Sequence, residues 1–330
     1  MVIDLFNKGD GLRCLKKIYQ LDDEQLQDIE ERVFEYDTLP RTQEEIDEFI
    51  DTIATLPGES EESARATAEH LFDRSKMNRW PVDDCVKVFL EETGIKPDIY
   101  DVSKNKVRCR HVTAQIDGGE SIKQYGLLKL TDMLEQNTPL RRFLEEYGIA
   151  VNPSECRLTV GNETIMIPER SNGDQIGVLS SKLYYDKGET EVFISGEDER
   201  IVDYSCVKRC PEILQTLDVI IGGHNCTRLQ EAWEDRKTDL MIVQFDMGFD
   251  ELIIHCMPNK KNDIGKYWEL KEFLSEEYER ERIPDCFWQN YWIISNCLDN
   301  ATTYFDRQEI YAAVKPSVKI GPERITMHSI

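Results

Sequence analysis

Several side chains in this chain have the types and spacing that ligand chemistry requires. Lys104, Lys106, Arg108 and Arg110 stand at alternate positions immediately ahead of His111-Val-Thr113. On a strand, period-two spacing puts the four cations on one face and His111 on the other. Such a face can hold a pyrophosphate, because Arg and Lys bind phosphate oxygens by charge-assisted hydrogen bonds; the commoner use of such a face is a strand edge guarded by charge. Phe193 and Tyr204 offer aromatic faces for a planar ligand, with Tyr184 and Tyr185 as rivals and a plain core role as the alternative. Glu309 is a carboxylate at the head of an apolar strand pattern, Ile310, Ala312 and Val314. Cys206, Cys210, His224, Cys226, His255 and Cys256 are soft metal ligands, and the first spacing is one that zinc sites use. No second tight pair completes the set, so these thiols read as small buried apolar groups and no metal is expected. The chain carries neither a phosphate-cradling Gly-Lys-Ser/Thr loop nor a Gly-x-Gly-x-x-Gly turn, which disfavours P-loop and Rossmann readings.

The order of three pieces adds a further reading. His111-Val-Thr113 is followed by Ser121-Ile122-Lys123-Gln124-Tyr125-Gly126-Leu127. Near the end, Gln308-Glu309-Ile310-Tyr311 leads into Ile320-Gly321-Pro322-Glu323-Arg324-Ile325. This arrangement resembles the ADP-ribosyltransferase superfamily over residues 107–325, closest in style to bacterial transferases of toxin and antiphage systems. The resemblance implies NAD as substrate. His111 and Thr113 would hold its nicotinamide-side ribose or amide, with Arg110 beside them, and Phe193 or Tyr204 would stack on nicotinamide. Glu309 would stabilise the oxocarbenium-like state formed as the nicotinamide–ribose bond breaks, as carboxylates do in glycoside cleavage. Glu323 fits a structural role. Arg307-Gln308-Glu309 has a single acid where arginine-modifying members have two, so that subclass is not implied and the acceptor stays open. The implied function is ADP-ribosyl transfer from NAD to a protein or other macromolecule, or NAD hydrolysis, in a toxin or defence setting. Two alternatives remain: a catalytically inactive interaction module of the same fold whose N-terminal helices dock a partner, and a cysteine- or metal-dependent hydrolase.

Composition bounds these readings. A chain of 330 residues with 40% hydrophobic and 9% aromatic residues can bury a core in one large or two ordinary domains. Lys and Arg number 40 against 64 Asp and Glu, a net charge of -24, so a general nucleic-acid surface is not expected. The chain shows no apolar run of spanning length and no signal-peptide order of residues. With ten cysteines in no framework spacing, it reads as cytoplasmic, thiol-reduced and without a membrane partner.

The elements that must position these residues follow from periodicity. Helices are expected over Asp22–Tyr36, from a Thr42/Glu45 capping box to Ile53, over Ser60–Met77, and between Pro81 and Gly94. A strand is expected at Val107–Thr113, then helices over Ser121–Glu135 and Thr138–Tyr147. Strands follow at Cys156–Val160, Thr164–Ile167, Lys182–Tyr185, Glu191–Ser195, Leu240–Phe245, Glu309–Val314 and Val318–Ile320. Pro211–Leu217 reads as a helix and Phe287–Leu298 as a Trp/Tyr-rich interruption. The predicted class is α+β: an acidic helical domain over residues 1–100, then a split-sheet domain of ADP-ribosyltransferase type over 101–330.

Overall fold

The computed structural model describes residues 1–7, 9–35, 50–52, 60, 62–63, 65, 82–168, 174–185, 190–196, 198–254, 264–302 and 310–330. It is mixed α and β, with antiparallel strand pairing. The chain divides into two compact units, Met1–Lys106 with Cys256–Gln308 and Val107–His255 with Glu309–Ile330. The segment 256–308, expected in the α+β body, groups with the helical N-terminal residues. Among the described residues no helix is long and apolar enough to cross a membrane.

The first unit is helical. Its long helix Asp285–Thr302 buries Phe287, Trp288, Tyr291, Trp292, Ile294, Cys297 and Leu298, so apolar residues surround most of its circumference. A helix apolar on most sides belongs at the centre of its unit, which accounts for the Trp/Tyr-rich composition. Asn290, fully buried on it, accepts a hydrogen bond from the Tyr19 hydroxyl at 2.6 Å and donates to the Tyr100 carbonyl at 2.7 Å. Helix Asp10–Tyr19 packs on it through Gly11, Cys14, Leu15, Ile18 and Tyr19. Helices Asp23–Glu35 and Val82–Thr93 lie where periodicity puts them, and Gly94 ends the second in the left-handed region, φ +63°. The capping box at Thr42 and the helix expected over Ser60–Met77 fall almost wholly outside the described residues.

The second unit is built on strands. Its strands are β1 (Lys106–Gln115), β2 (Ile149–Asn152), β3 (Arg157–Val160), β4 (Glu163–Met166), β5 (Thr190–Ser195), β6 (Asp239–Gly248), β7 (Leu252–Ile254), β8 (Ile310–Val314) and β9 (Thr326–Ser329). The main sheet runs β9-β6-β1-β5-β8-β7, and β2-β3-β4 form a separate antiparallel sheet. The helices are α1 (Glu120–Tyr125), α2 (Leu130–Glu135), α3 (Pro139–Glu146), α4 (Gln175–Ser180), α5 (Asp198–Asp203), α6 (Glu212–Gly222) and α7 (Arg228–Arg236). Phe143 of α3 meets Trp233 of α7 edge-to-face at 5.0 Å, and the Trp233 indole N–H donates to the Ala114 carbonyl of β1 at 3.2 Å. With Leu140, Leu158, Leu214, Leu217 and Leu229 these residues form a buried cluster. Buried Asp218 on α6 accepts from the backbone N–H groups of Leu229 and Gln230, capping α7 from another helix.

Three expectations need correction. The helix expected over Ser121–Glu135 is broken into α1 and α2. Gly126 takes φ +77° there, and a Cβ on it would lie 2.0 Å from the Ile320 carbonyl oxygen, so only glycine lets the two backbones approach. Lys182–Tyr185 is not a strand. Ser181–Tyr185 is a π-helical turn continuing α4, whose Asp174 cap accepts from the Gly177 N–H at 2.7 Å. The strand expected at Val318–Ile320 is a single bridge, Leu127 to Ile320, and the closing strand is β9, paired along β6. At both places local alternation of apolar residues was outweighed by the neighbouring cap and backbone.

Candidate functional site

The second unit has a half-open cavity of about 290 Å³ whose wall is drawn from distant parts of the sequence. His111 and Thr113 reach it from β1, Glu191 and Phe193 from β5, Tyr311 from β8. Tyr204 and Cys210 come from the turn after α5, Glu212 from the first turn of α6, Lys182 from the π-helical turn and Ser121 from α1. Four of the six residues that the sequence marked, His111, Thr113, Phe193 and Tyr204, thus line one space. Arg110 is not among the lining residues; its Nε–H donates to the Gln244 side-chain carbonyl at 3.3 Å. Arg108 is held by Asp246 at 2.5 Å. Both arginines reach β6, as residues two apart on a strand should. Glu309 lies outside the described residues; β8 begins at the next one.

The His111 ring is fixed by one hydrogen bond, Nδ1 to the Glu191 backbone carbonyl at 3.0 Å. A carbonyl only accepts, so Nδ1 carries the proton and Nε2 keeps its lone pair, able to accept from a ligand hydroxyl. Burial pushes the His111 pKa down, against the smaller opposing effects of the Glu191 carbonyl and the Glu212 charge, so the ring is neutral at pH 7. The Thr113 hydroxyl accepts from the Gln115 side-chain amide at 2.7 Å and retains its own hydrogen to donate.

Three mutually touching rings also line the cavity. Phe193 is 5.3 Å from Tyr311, its direct partner across the β5–β8 pairing, and 5.6 Å from Tyr204; Tyr204 and Tyr311 are 5.1 Å apart. The register of this pair shifts between Phe193 and Ser195. Bulges of this kind re-aim side chains and are common beside binding sites. Phe193 is 7% exposed and supports the cluster, whereas Tyr204, at 39%, keeps a face open to a ligand.

Charge in the wall is sparse. Lys182 pairs with Glu212 at 3.1 Å, and Glu191 is the remaining lining carboxylate. The lining charges therefore sum to one negative unit, which suits a cationic or polar ligand group better than a polyphosphate. The sequence marked neither this pair nor Tyr311. Tyr311 stands two positions after Glu309 in the sequence. No local pattern joins Lys182 to Glu212, because a π-helical turn and a helix start bring them together.

The depressed His111 pKa has a measurable consequence. The unfolded ring titrates at its ordinary value of 6.5 and the folded ring below it. Between those values the unfolded chain binds more protons, so the contribution of His111 to stability is complete above pH 6.5 and is lost as pH falls toward the folded pKa. Melting temperature followed from pH 7.5 down to 5 should fall less steeply in His111→Gln than in the wild-type protein. Parallel curves would show that the fold does not hold the His111 ring neutral.

Soft ligands do not converge among the described residues: no group of three His, Cys, Asp or Glu side chains is placed to share a metal ion. His255 and Cys256 lie outside them. Comparison of the chain with protein-family models, with curated proteins and with solved structures returns no match.

Proposed function

We propose that the cavity holds the nicotinamide–ribose half of NAD and that the protein breaks the bond between them, passing ADP-ribose to a macromolecular acceptor or to water. One observation carries this reading. His111 and Thr113 from one strand, and the aromatic residues Phe193 and Tyr204 from two other segments, line one cavity of nicotinamide–ribose size.

In this account the neutral His111 Nε2 accepts from a ribose hydroxyl and Thr113 donates to the ligand amide or ribose. The ring of oxidised nicotinamide is a cation, and the open face of Tyr204 attracts it through the ring quadrupole. The single negative unit in the wall acts in the same direction. As the bond to nicotinamide breaks, positive charge grows on the ribose, and the carboxylate assigned to meet it is Glu309. The attacking hydroxyl, from acceptor or water, gives up its proton to a carboxylate as it bonds to the anomeric carbon, and neutral nicotinamide leaves. The lining of the cavity supplies few cations for a pyrophosphate, so the rest of NAD lies beyond it. The β1 arginines are already engaged with β6.

Thermal melting with and without NAD tests the binding step, because a ligand specific for the folded state raises the melting temperature. NAD should stabilise the wild-type protein. Tyr204→Ala, which removes a half-exposed ring rather than a buried one, should weaken NAD binding about tenfold, the value of one aromatic contact of roughly 1–1.5 kcal/mol. Equal stabilisation of both proteins would remove Tyr204 from the site, and no stabilisation of either would remove NAD.

A further inference from the structure

The cavity wall contains one cysteine, Cys210, and a second, Cys206, lies four residues before it in the chain. Cys206 and Cys210 sit on one turn, in which the Cys206 carbonyl accepts from the Arg209 N–H at 2.8 Å and the Cys210 N–H at 3.0 Å. The Cys210 N–H bond to the Cys206 carbonyl closes a helical-type turn, and residues four apart on such a turn present their side chains on the same side. Cys210 is fully buried and lines the cavity, as do Tyr204 and Val207 of the same turn, while Cys206 is 9% exposed. Between Tyr204 and Cys206, Ser205 takes φ +51°, a left-handed conformation that costs a non-glycine residue free energy. A strained turn and two thiols four residues apart on it occur together here, the second of them in the cavity wall.

We propose that Cys206 and Cys210 are a dithiol–disulfide couple, with Cys206 the attacking thiol and Cys210 the resolving one, oxidised by exchange with a small disulfide such as oxidised glutathione. The Cys206 sulfur attacks one glutathione sulfur, the glutathione S–S bond breaks, and the first glutathione leaves as thiolate. The Cys210 sulfur then attacks Cys206, breaking the mixed disulfide and releasing the second. Two thiol hydrogens are transferred in total, so one oxidised glutathione becomes two reduced molecules and the protein gains one S–S bond. The roles follow from position. The less deeply buried sulfur, Cys206, meets the reagent, and the fully buried one, on the same turn, closes the ring with little backbone movement.

Acidity agrees with the same order. The hydrogen bond from Cys210 lowers the Cys206 pKa to about 7, while that bond and burial raise Cys210. Closure ties together the turn that carries Tyr204 and Val207, so the shape of the cavity responds to the thiol–disulfide state of its surroundings. None of this depends on what the cavity binds.

The test treats the full-length reduced protein with oxidised glutathione and reads intact mass, tryptic peptides and amide exchange. Cleavage after Lys208 and Arg209 separates the two cysteines, so the disulfide appears as a cross-linked peptide pair. The wild-type protein should lose two hydrogens and show that pair. Cys210→Ser should instead retain one glutathione at Cys206, and Cys206→Ser should react at least about tenfold more slowly at this site. Amide exchange over 204–210 should slow on oxidation. A cross-link between other cysteines, unreacted wild-type protein, or equal glutathione uptake by Cys206→Ser would overturn the couple. Unchanged exchange over 204–210 would overturn its link to the cavity.

Discussion

Glu309→Gln should leave the protein folded and lower its release of nicotinamide from NAD by about two to three orders of magnitude. That is the size of effect seen when one group aimed at developing charge is removed from an active site. Glutamine keeps the shape and hydrogen-bonding reach of the side chain and removes its negative charge, so the loss falls on the charged transition state rather than on binding. Melting temperature, with and without NAD, should match the wild type. Glu191→Gln and Glu212→Gln are the necessary companions, since both carboxylates line the cavity. If either of them abolishes release while Glu309→Gln does not, the chemistry belongs to the cavity but the carboxylate has been misassigned. Loss of stability in Glu309→Gln without loss of turnover would make Glu309 a structural acid.

The largest expected effect on stability lies in the helical unit, at Gly11→Ala. Inside a helix, alanine for glycine normally stabilises by about 1 kcal/mol. At Gly11 the sign reverses. A Cβ there would stand 1.9 Å from the Cys297 carbonyl oxygen and 2.8 Å from its carbon, both backbone atoms of helix Asp285–Thr302. The same contact is closed by Asn300, whose side-chain carbonyl accepts from the Gly11 N–H at 3.0 Å and whose amide donates to the Leu5 carbonyl at 3.1 Å. Since Asn300 is buried, moving the helices apart to admit a methyl group strands these polar groups as well. Overpacking of this kind costs more than about 3 kcal/mol where backbone cannot move aside. Chemical denaturation should show a lower midpoint; an unchanged or raised midpoint would show that the two helices do not cross as closely as described.

Legibility of the fold followed the strength of its local signals. Helix Pro139–Glu146 could be read to its ends, because Thr138 caps it, Pro139 starts it and Gly148 follows it with φ +69°. Helix Asp10–Tyr19 could not, because its buried stripe begins with Gly11 and Cys14, small residues that apolar periodicity does not register. The tyrosine pair at 184 and 185 alternates like a strand but continues α4 as a π-helical turn, an outcome fixed by the Asp174 cap upstream. The site shows the same division. His111 and Thr113 were visible as a short strand motif, and Phe193 and Tyr204 as aromatics flanking a strand end. Their meeting depends on the β5–β8 register and on the strained turn after α5, which long-range pairing decides. The Lys182–Glu212 pair was invisible for that reason. Arg110 stood out by charge alone, and charge did not reveal that Gln244 already engages it.

The most direct measurement is free nicotinamide released when the purified protein is incubated with NAD. The account predicts release by the wild-type protein, strongly reduced in Glu309→Gln and accompanied by thermal stabilisation with NAD. Absence of release together with absence of any NAD-dependent shift in melting would contradict it, and would leave the cavity of His111, Thr113, Phe193 and Tyr204 to a different ligand.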